Sequence, residues 1–152
     1  MRVVVDTNVA ISGLLWTGPP NHILKWAREG LLRILACRET TDELKRAIHY
    51  KRLLKRIYVL ETSPARVLSY YMNLVFFVPS PEKIPEKVVE DPFDNIFLGL
   101  AFENNARLII SGDKHLIGLK QYHDIQIVKP DEACNVIERL MQKRGNGVRP
   151  LV

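Results

Sequence analysis

Residues 1–10 read MRVVVDTNVA, and this stretch decides the fold. Val3, Val4 and Val5 are β-branched and follow one another without a polar residue between them. Such a run fits a strand covered on both faces, as in a parallel α/β sheet; a strand with one wet face would alternate. The run stops at Asp6, a carboxylate that is costly to bury alone. Asp6 therefore either caps the helix that follows or belongs to a group of acids that holds something positive.

Outward from this stretch, strand and helix signals alternate. Val9 to Leu15 is expected to form a short helix. Pro19 and Pro20 open a second, with Ile23, Leu24, Trp26 and Ala27 at helical spacing and Gly30 as its stop. LLRILA (31–36), VFFVP (75–79), RLIIS (107–111) and IQIV (125–128) read as further strands. ETTDELKRAI (39–48) opens a helix whose basic continuation is expected to reach Tyr58, and SPARVLSYYMNL (63–74) enters another through Ser63 and Pro64. The Pro- and Glu-rich SPEKIPEKVVEDP (80–92) reads as a loop with a short strand near Lys87 to Val89. DNIFLGLAFEN (94–104) is apolar almost all round, as a buried helix should be. DEACNVIERLMQKR (131–144) closes the chain as an amphipathic helix. The pattern is α/β with a mainly parallel sheet. Residues 1–142 are expected to form one domain and residues 143–152 a flexible tail.

Bulk properties agree with one domain: 152 residues, 47% hydrophobic and 26% charged, enough to bury a core. No apolar stretch approaches the roughly 20 residues that span a bilayer, and Asp6 interrupts the first candidate signal peptide. Cys37 and Cys134 are far apart and form no CxxC, so a reducing cytoplasm is the default and no membrane partner is expected. The net charge of +5 hints at a polyanionic partner.

Ligands of parallel α/β sheets bind beyond the carboxyl ends of the strands. Asp6 follows the first strand, and Asp113 follows the fourth in LIISGD. Glu43 is expected in the first turn of the helix after the second strand, and Asp91 and Asp94 at the start of the helix before the fourth. Each has an innocent role. Aspartate is a favoured helix cap, Thr40 with Glu43 fits a capping box, and Asp91 before Pro92 fits a cap with proline at the first helical position. Capping needs only an oxygen acceptor, however, and Ser, Thr or Asn supplies one without charge. Carboxylates converging on one edge would repel one another and be raised in pKa. A divalent cation removes that cost, and an all-oxygen set suits Mg²⁺ or Mn²⁺ better than zinc. His22, His49, His115 and His123 form no HxH or HxxxH pair.

VVVDTNV, the glutamate of TDELKRAI, DPFDNIFLGLA and IISGDKHL occur in the order seen in PIN-domain proteins. The chain resembles especially the bacterial and archaeal group described as toxin components of toxin–antitoxin systems. The resemblance runs from Met1 to about Gln142. It implies a three-layer α/β/α sandwich and Mg²⁺- or Mn²⁺-dependent cleavage of RNA, leaving 5′-phosphate and 3′-hydroxyl ends. It also implies a homodimer and an antitoxin partner that covers the cleft. On this resemblance Asp6, Glu43, Asp94 and Asp113 are the catalytic and metal-holding acids. Asp91 is a rival for the third place, set aside because it has a capping role beside Pro92. Thr7, Asn8, Asn95 and Ser111 look like polar residues that orient those acids. A phosphatase DxDxT motif, a receiver-domain acid pair and a GxxxxGK[ST] loop are all missing.

Lys45, Arg46, His49, Lys51, Arg52, Lys55 and Arg56 follow one another without an intervening acid. On one continuous helix Lys45, His49, Arg52 and Arg56 would share a stripe, either a solvated face or a surface that tracks RNA phosphates. With Arg46, these are the candidate RNA contacts. The rival to an enzyme is a catalytically weak PIN-fold module that binds nucleic acid or another protein.

Overall fold

The computed structural model describes residues 1–147. Val3 and Val4 are wholly enclosed and Val5 nearly so, within strand β1 (Arg2–Val5). That strand lies inside a six-stranded sheet of order β3-β2-β1-β4-β6-β5. β2 (Arg33–Ala36), β3 (Phe76–Phe77), β4 (Leu108–Ile110) and β6 (Ile125–Val128) pair in parallel around β1. Strand neighbours divide between two cores, as period-two geometry requires. Val3, Val5, Ile34, Leu108 and Ile110 face one core, with Ile23, Leu44 and Ile137. Val4, Leu35 and Ile109 face the other, with Phe97, Leu98 and Leu100. The result is the expected three-layer α/β/α sandwich.

The helices are α1 (Thr7–Leu15), α2 (Pro19–Arg28), α3 (Arg38–Ala47), α4 (Lys51–Val59), α5 (Pro64–Leu74), α6 (Asn95–Glu103), α7 (Lys114–Ile117) and α8 (Pro130–Gly147). The helix expected to run on to Tyr58 is broken at Ile48–Tyr50 into α3 and α4. Leu44, Ile48, Leu53 and Ile57 are all buried. Leu53 is five residues beyond Ile48, so an unbroken helix would rotate it about 140° off the buried stripe; the break restores it. Nor is Thr40 the cap of α3. Cys37 occupies that place, and the Thr40 hydroxyl accepts from the Cys37 N–H at 3.0 Å. Glu43 consequently lies in the second turn of α3, not the first.

Three further differences concern short or terminal elements. β5 (Gln121–Tyr122) pairs antiparallel with β6 and was not expected, since two residues give no readable alternation. The strand expected at Lys87 to Val89 does not form; the N–H groups of Lys87 and Val88 donate instead to Asn95 Oδ1, at 3.0 and 2.8 Å. α8 runs on through Gly147, so residues 143–147 are helix where a tail was expected. Its Gly145 costs a helix only about 1 kcal/mol relative to alanine, and Ala133 and Ile137 anchor α8 in the core. The remainder of the expected tail lies outside the described residues.

The 79–91 loop is strapped along α6. Glu103 accepts from the N–H groups of Glu82 and Lys83 at 2.9 and 3.0 Å. A side chain at Gly99 would put its Cβ 2.8 Å from the Lys83 carbonyl, so glycine lets the loop lie flat. This strap ends at Asp91, on the sheet edge where the acids gather.

Candidate active site

Asp6 is the residue at which β1 becomes α1. Its N–H still donates to the Ile110 carbonyl of β4, while its Oδ1 accepts from the Val9 N–H at 2.8 Å. Its other oxygen, Oδ2, accepts from the Ser111 hydroxyl. Ser111 Oγ in turn accepts from the Asp113 N–H at 2.9 Å, and Asp113 Oδ1 caps α7 through the His115 N–H at 2.8 Å. Asp6 and Asp113 are thus caps, and one serine also links them across the β1–β4 edge. Burial pushes the Asp6 carboxyl up; hydrogen bonds from Ser111 and Val9 oppose this, and the nearby Asp113 charge adds to it.

Glu43 reaches the same edge from α3 and accepts from the Thr7 hydroxyl. Burial raises its pKa, the Thr7 bond lowers it, Asp91 raises it and Arg46 lowers it. Asp94, in the 3-10 turn Pro92–Asp94 before α6, is buried, and its Oδ2 has no hydrogen-bond partner. Burial and the charges of Asp91, Asp113, Asp6 and Glu43 together push Asp94 up to about 7. One buried carboxyl therefore feels all four other acids.

The Thr7 and Ser111 hydroxyls each donate to a carboxylate of the cluster. Asn95 does not. Its amide accepts from Lys87 and Val88 and donates to the Val88 and Pro92 carbonyls at 2.8 and 3.0 Å, so it pins the loop that carries Asp91. Asn8 is exposed and points to no acid by hydrogen bond. Asp91 was set aside for a capping role, but its side chain makes no capping bond and its charge acts on both Asp94 and Glu43.

The expected basic stripe divides at the α3–α4 break. Arg46 is close enough to act on Glu43. His49 lies in the break itself, with Nδ1 2.7 Å from the Lys45 carbonyl of α3. Arg56 Nε donates to the Leu15 carbonyl at 2.9 Å, and its guanidinium lies 5.3 Å from the Trp16 ring centroid, which spends it on packing. Lys45 and Arg52 are exposed.

As a holder for a dication, the cluster fits in kind. Every donor is a carboxylate oxygen, Asp94 offers a buried oxygen without a partner, and the acids are short of positive charge. The spacing is open: among the described residues, no three acid, histidine or cysteine side chains are drawn as close as metal ligands.

A sequence profile described as the PIN domain matches residues 2–115, a span that includes all five acids. The chain belongs to the PIN-domain family. Proteins of this family are generally nucleases and usually use divalent metals. The crystal structure of FitAcB from Neisseria gonorrhoeae is similar to this PIN domain, with 17% identity and a TM-score of 0.47 over 84% of this chain and 97% of that chain. No curated protein sequence matches this PIN domain significantly. Among its described residues no helix is long and apolar enough to cross a membrane.

Proposed function

We propose that this PIN domain is a metal-dependent endoribonuclease and the toxin of a toxin–antitoxin pair. The observation that carries the reading is Asp94: a buried carboxyl, one oxygen unpartnered, in the field of four other acids. Such a group either stays protonated or meets a cation. Asp6, Glu43, Asp94 and Asp113 would hold Mg²⁺ or Mn²⁺, with Asp91 beside them. The bound ion supplies a Lewis acid for the phosphate and an activated water.

The chain's own groups prepare that edge. Thr7 fixes one Glu43 oxygen. Ser111 locks Asp6 to the Asp113 backbone. Asn95 pins the loop that carries Asp91, whose charge acts on Asp94 and Glu43. Arg46, beside Glu43, is the nearest cation of the α3 run and is placed to draw in an RNA phosphate. Tyr50, Tyr58, Val59 and Leu60 expose apolar surface around α4. This surface supports a homodimer or an antitoxin contact, and copurification of a small partner is the expected sign of the latter.

The test is cleavage of structured and unstructured RNA with Mg²⁺, Mn²⁺ or chelator, wild type beside Asp6→Asn. Asparagine keeps an oxygen for the Val9 cap and removes the charge. Metal-dependent cleavage lost in the variant is the expected result; equal cleavage by both proteins sinks the proposal. The open spacing of the acids favours one second reading, a module that binds RNA without effective chemistry. Metal-independent RNA binding with no cleavage of any substrate would select it.

A further inference from the structure

The sheet edge opposite the acids is positive. Arg33, Arg2 and Arg107 stand at the amino ends of β2, β1 and β4, three neighbours in the sheet. Arg2 is paired in register with Arg33, and the Arg107 N–H donates to the Arg2 carbonyl at 2.8 Å. Neighbouring strands lie about 4.8 Å apart, so the three side chains leave the sheet as a row. α8 adds to it. Arg144 lines a cavity of about 480 Å³ with Arg2 and Arg33. Arg139 and Lys143 line one of about 810 Å³ with Arg107.

All six side chains are exposed. Among the described residues, none lies within ion-pair distance of a carboxylate. The Arg2 guanidinium bonds only the Asn104 carbonyl, at 3.1 Å, and Arg33 rests 4.8 Å from the Phe76 ring centroid. Asp124 is the one acid lining either cavity. The crowding acts on a neighbouring group: burial and the charges of Arg144, Arg33 and Arg2 lower the pKa of the Met1 amino group. An aromatic wall completes the larger cavity, where Phe102 is half-exposed and its ring lies 4.4 Å from that of His123. Cations beside an open aromatic face suit a nucleic acid better than a plain acidic peptide, because a base can stack where phosphates are neutralised.

We propose that this amino edge is a second RNA-binding surface, which holds the backbone of a structured RNA on the side of the sheet opposite the acids. The proposal rests on RNA as the ligand of the acidic site, but its test does not require cleavage. The probe is a fluorescein-labelled RNA hairpin, bound in chelator across a salt series by wild type and by the triple variant Arg33→Gln, Arg107→Gln, Arg139→Gln. Three lost phosphate contacts should weaken binding and flatten the plot of log affinity against log salt by about 2–3. Cleavage of a dinucleotide, whose single phosphodiester cannot occupy both edges, should stay unchanged. Loss of hairpin binding in the variant supports the surface even where wild type cleaves nothing, in which case the nuclease reading alone falls. Equal affinity and equal salt slope in the two proteins overturn the proposal. So does displacement of the hairpin by poly-glutamate as readily as by unlabelled RNA, which would assign the edge to an acidic protein.

Discussion

At the carboxyl edge of the sheet the acids crowd one another and all but the exposed Asp91 are recessed; at the amino edge the charged groups are exposed and lie in a row. Asp6 and Asp94 are buried, Glu43 and Asp113 half-buried, whereas Arg2, Arg33, Arg107 and Arg139 stand in solvent. The difference separates two uses of charge. Exposed arginines cost the fold little, because water and salt screen them. Buried acids that raise one another's pKa cost it stability, and neutral caps could replace two of them. A charge kept at a cost is the better marker of chemistry, and a cheap row of charge is the better marker of a long-range partner.

The largest effect that could break this comparison is at Asp94. Asp94→Asn should lower metal-dependent RNA cleavage at least about 100-fold, since the stabilisation a bound ion gives a phosphate is worth several kcal/mol. The protein should fold, because asparagine keeps the shape of the side chain and removes the charge that the four other acids disfavour. A well-folded variant that cleaves at the full rate would move Asp94 from chemistry to structure. Thr7→Val comes next. It removes the hydroxyl that fixes Glu43, and losing such an orienting group typically costs 10–100-fold in metal affinity or activity. Titration of Mn²⁺ by calorimetry, with wild type beside the variant, measures it; equal affinities would show that Glu43 needs no orienting bond.

A smaller effect reads the buried charge through stability. Asp94 is raised to about 7, and Asp6 and Glu43 are raised too, burial being the first cause in each. Between the ordinary carboxylate range and about 7, the folded protein therefore holds protons that the unfolded chain has released. Stability from these groups is full below about pH 4 and is lost as pH rises through about 7. Without divalent cation, the midpoint of thermal unfolding should be higher at pH 5 than at pH 8. Asp94→Asn should flatten that slope, and Mn²⁺ at pH 8 should restore wild type by preferential binding to the folded state. A midpoint that rises from pH 5 to pH 8 in wild type and variant alike would show that the acids do not burden the fold.

The sequence made β1, β4 and the acids beyond them legible for one reason: an apolar run of strand length is followed within three residues by a carboxylate. Val3 to Val5 before Asp6, and Leu108 to Ile110 before Ser111 and Asp113, place those acids without a structure. A proline after an aspartate predicts a cap at Asp91, while its side chain makes no capping bond and its charge acts on Asp94 and Glu43. The break between α3 and α4 was hidden because every residue there tolerates helix; only the need to bury Leu53 reveals it. The arginine row was hidden for a different reason. Its members come from four distant parts of the chain and meet only through parallel register and the course of α8, whereas the contiguous run from Lys45 to Arg56 draws the eye and then divides, with Arg56 given to packing.

The smallest expected effect sharpens the contrast from the amino edge. Arg33→Gln removes a cation over the Phe76 ring, worth about 0.5–1 kcal/mol at an exposed site. It also relieves repulsion from Arg2, Arg144 and the Met1 amino group, all of which share its cavity. The two changes oppose each other, so stability should move by no more than about 0.5 kcal/mol, the usual range for exposed positions. The Met1 amino group, freed of one neighbouring charge, should titrate higher than in wild type, read from the pH dependence of its acylation rate. A large loss of stability would mean that Arg33 is a structural clamp on Phe76 and the edge strand. An unmoved amino group would mean that the row is too dispersed to act as one field, and the amino edge would then lose the property that sets it against the acids.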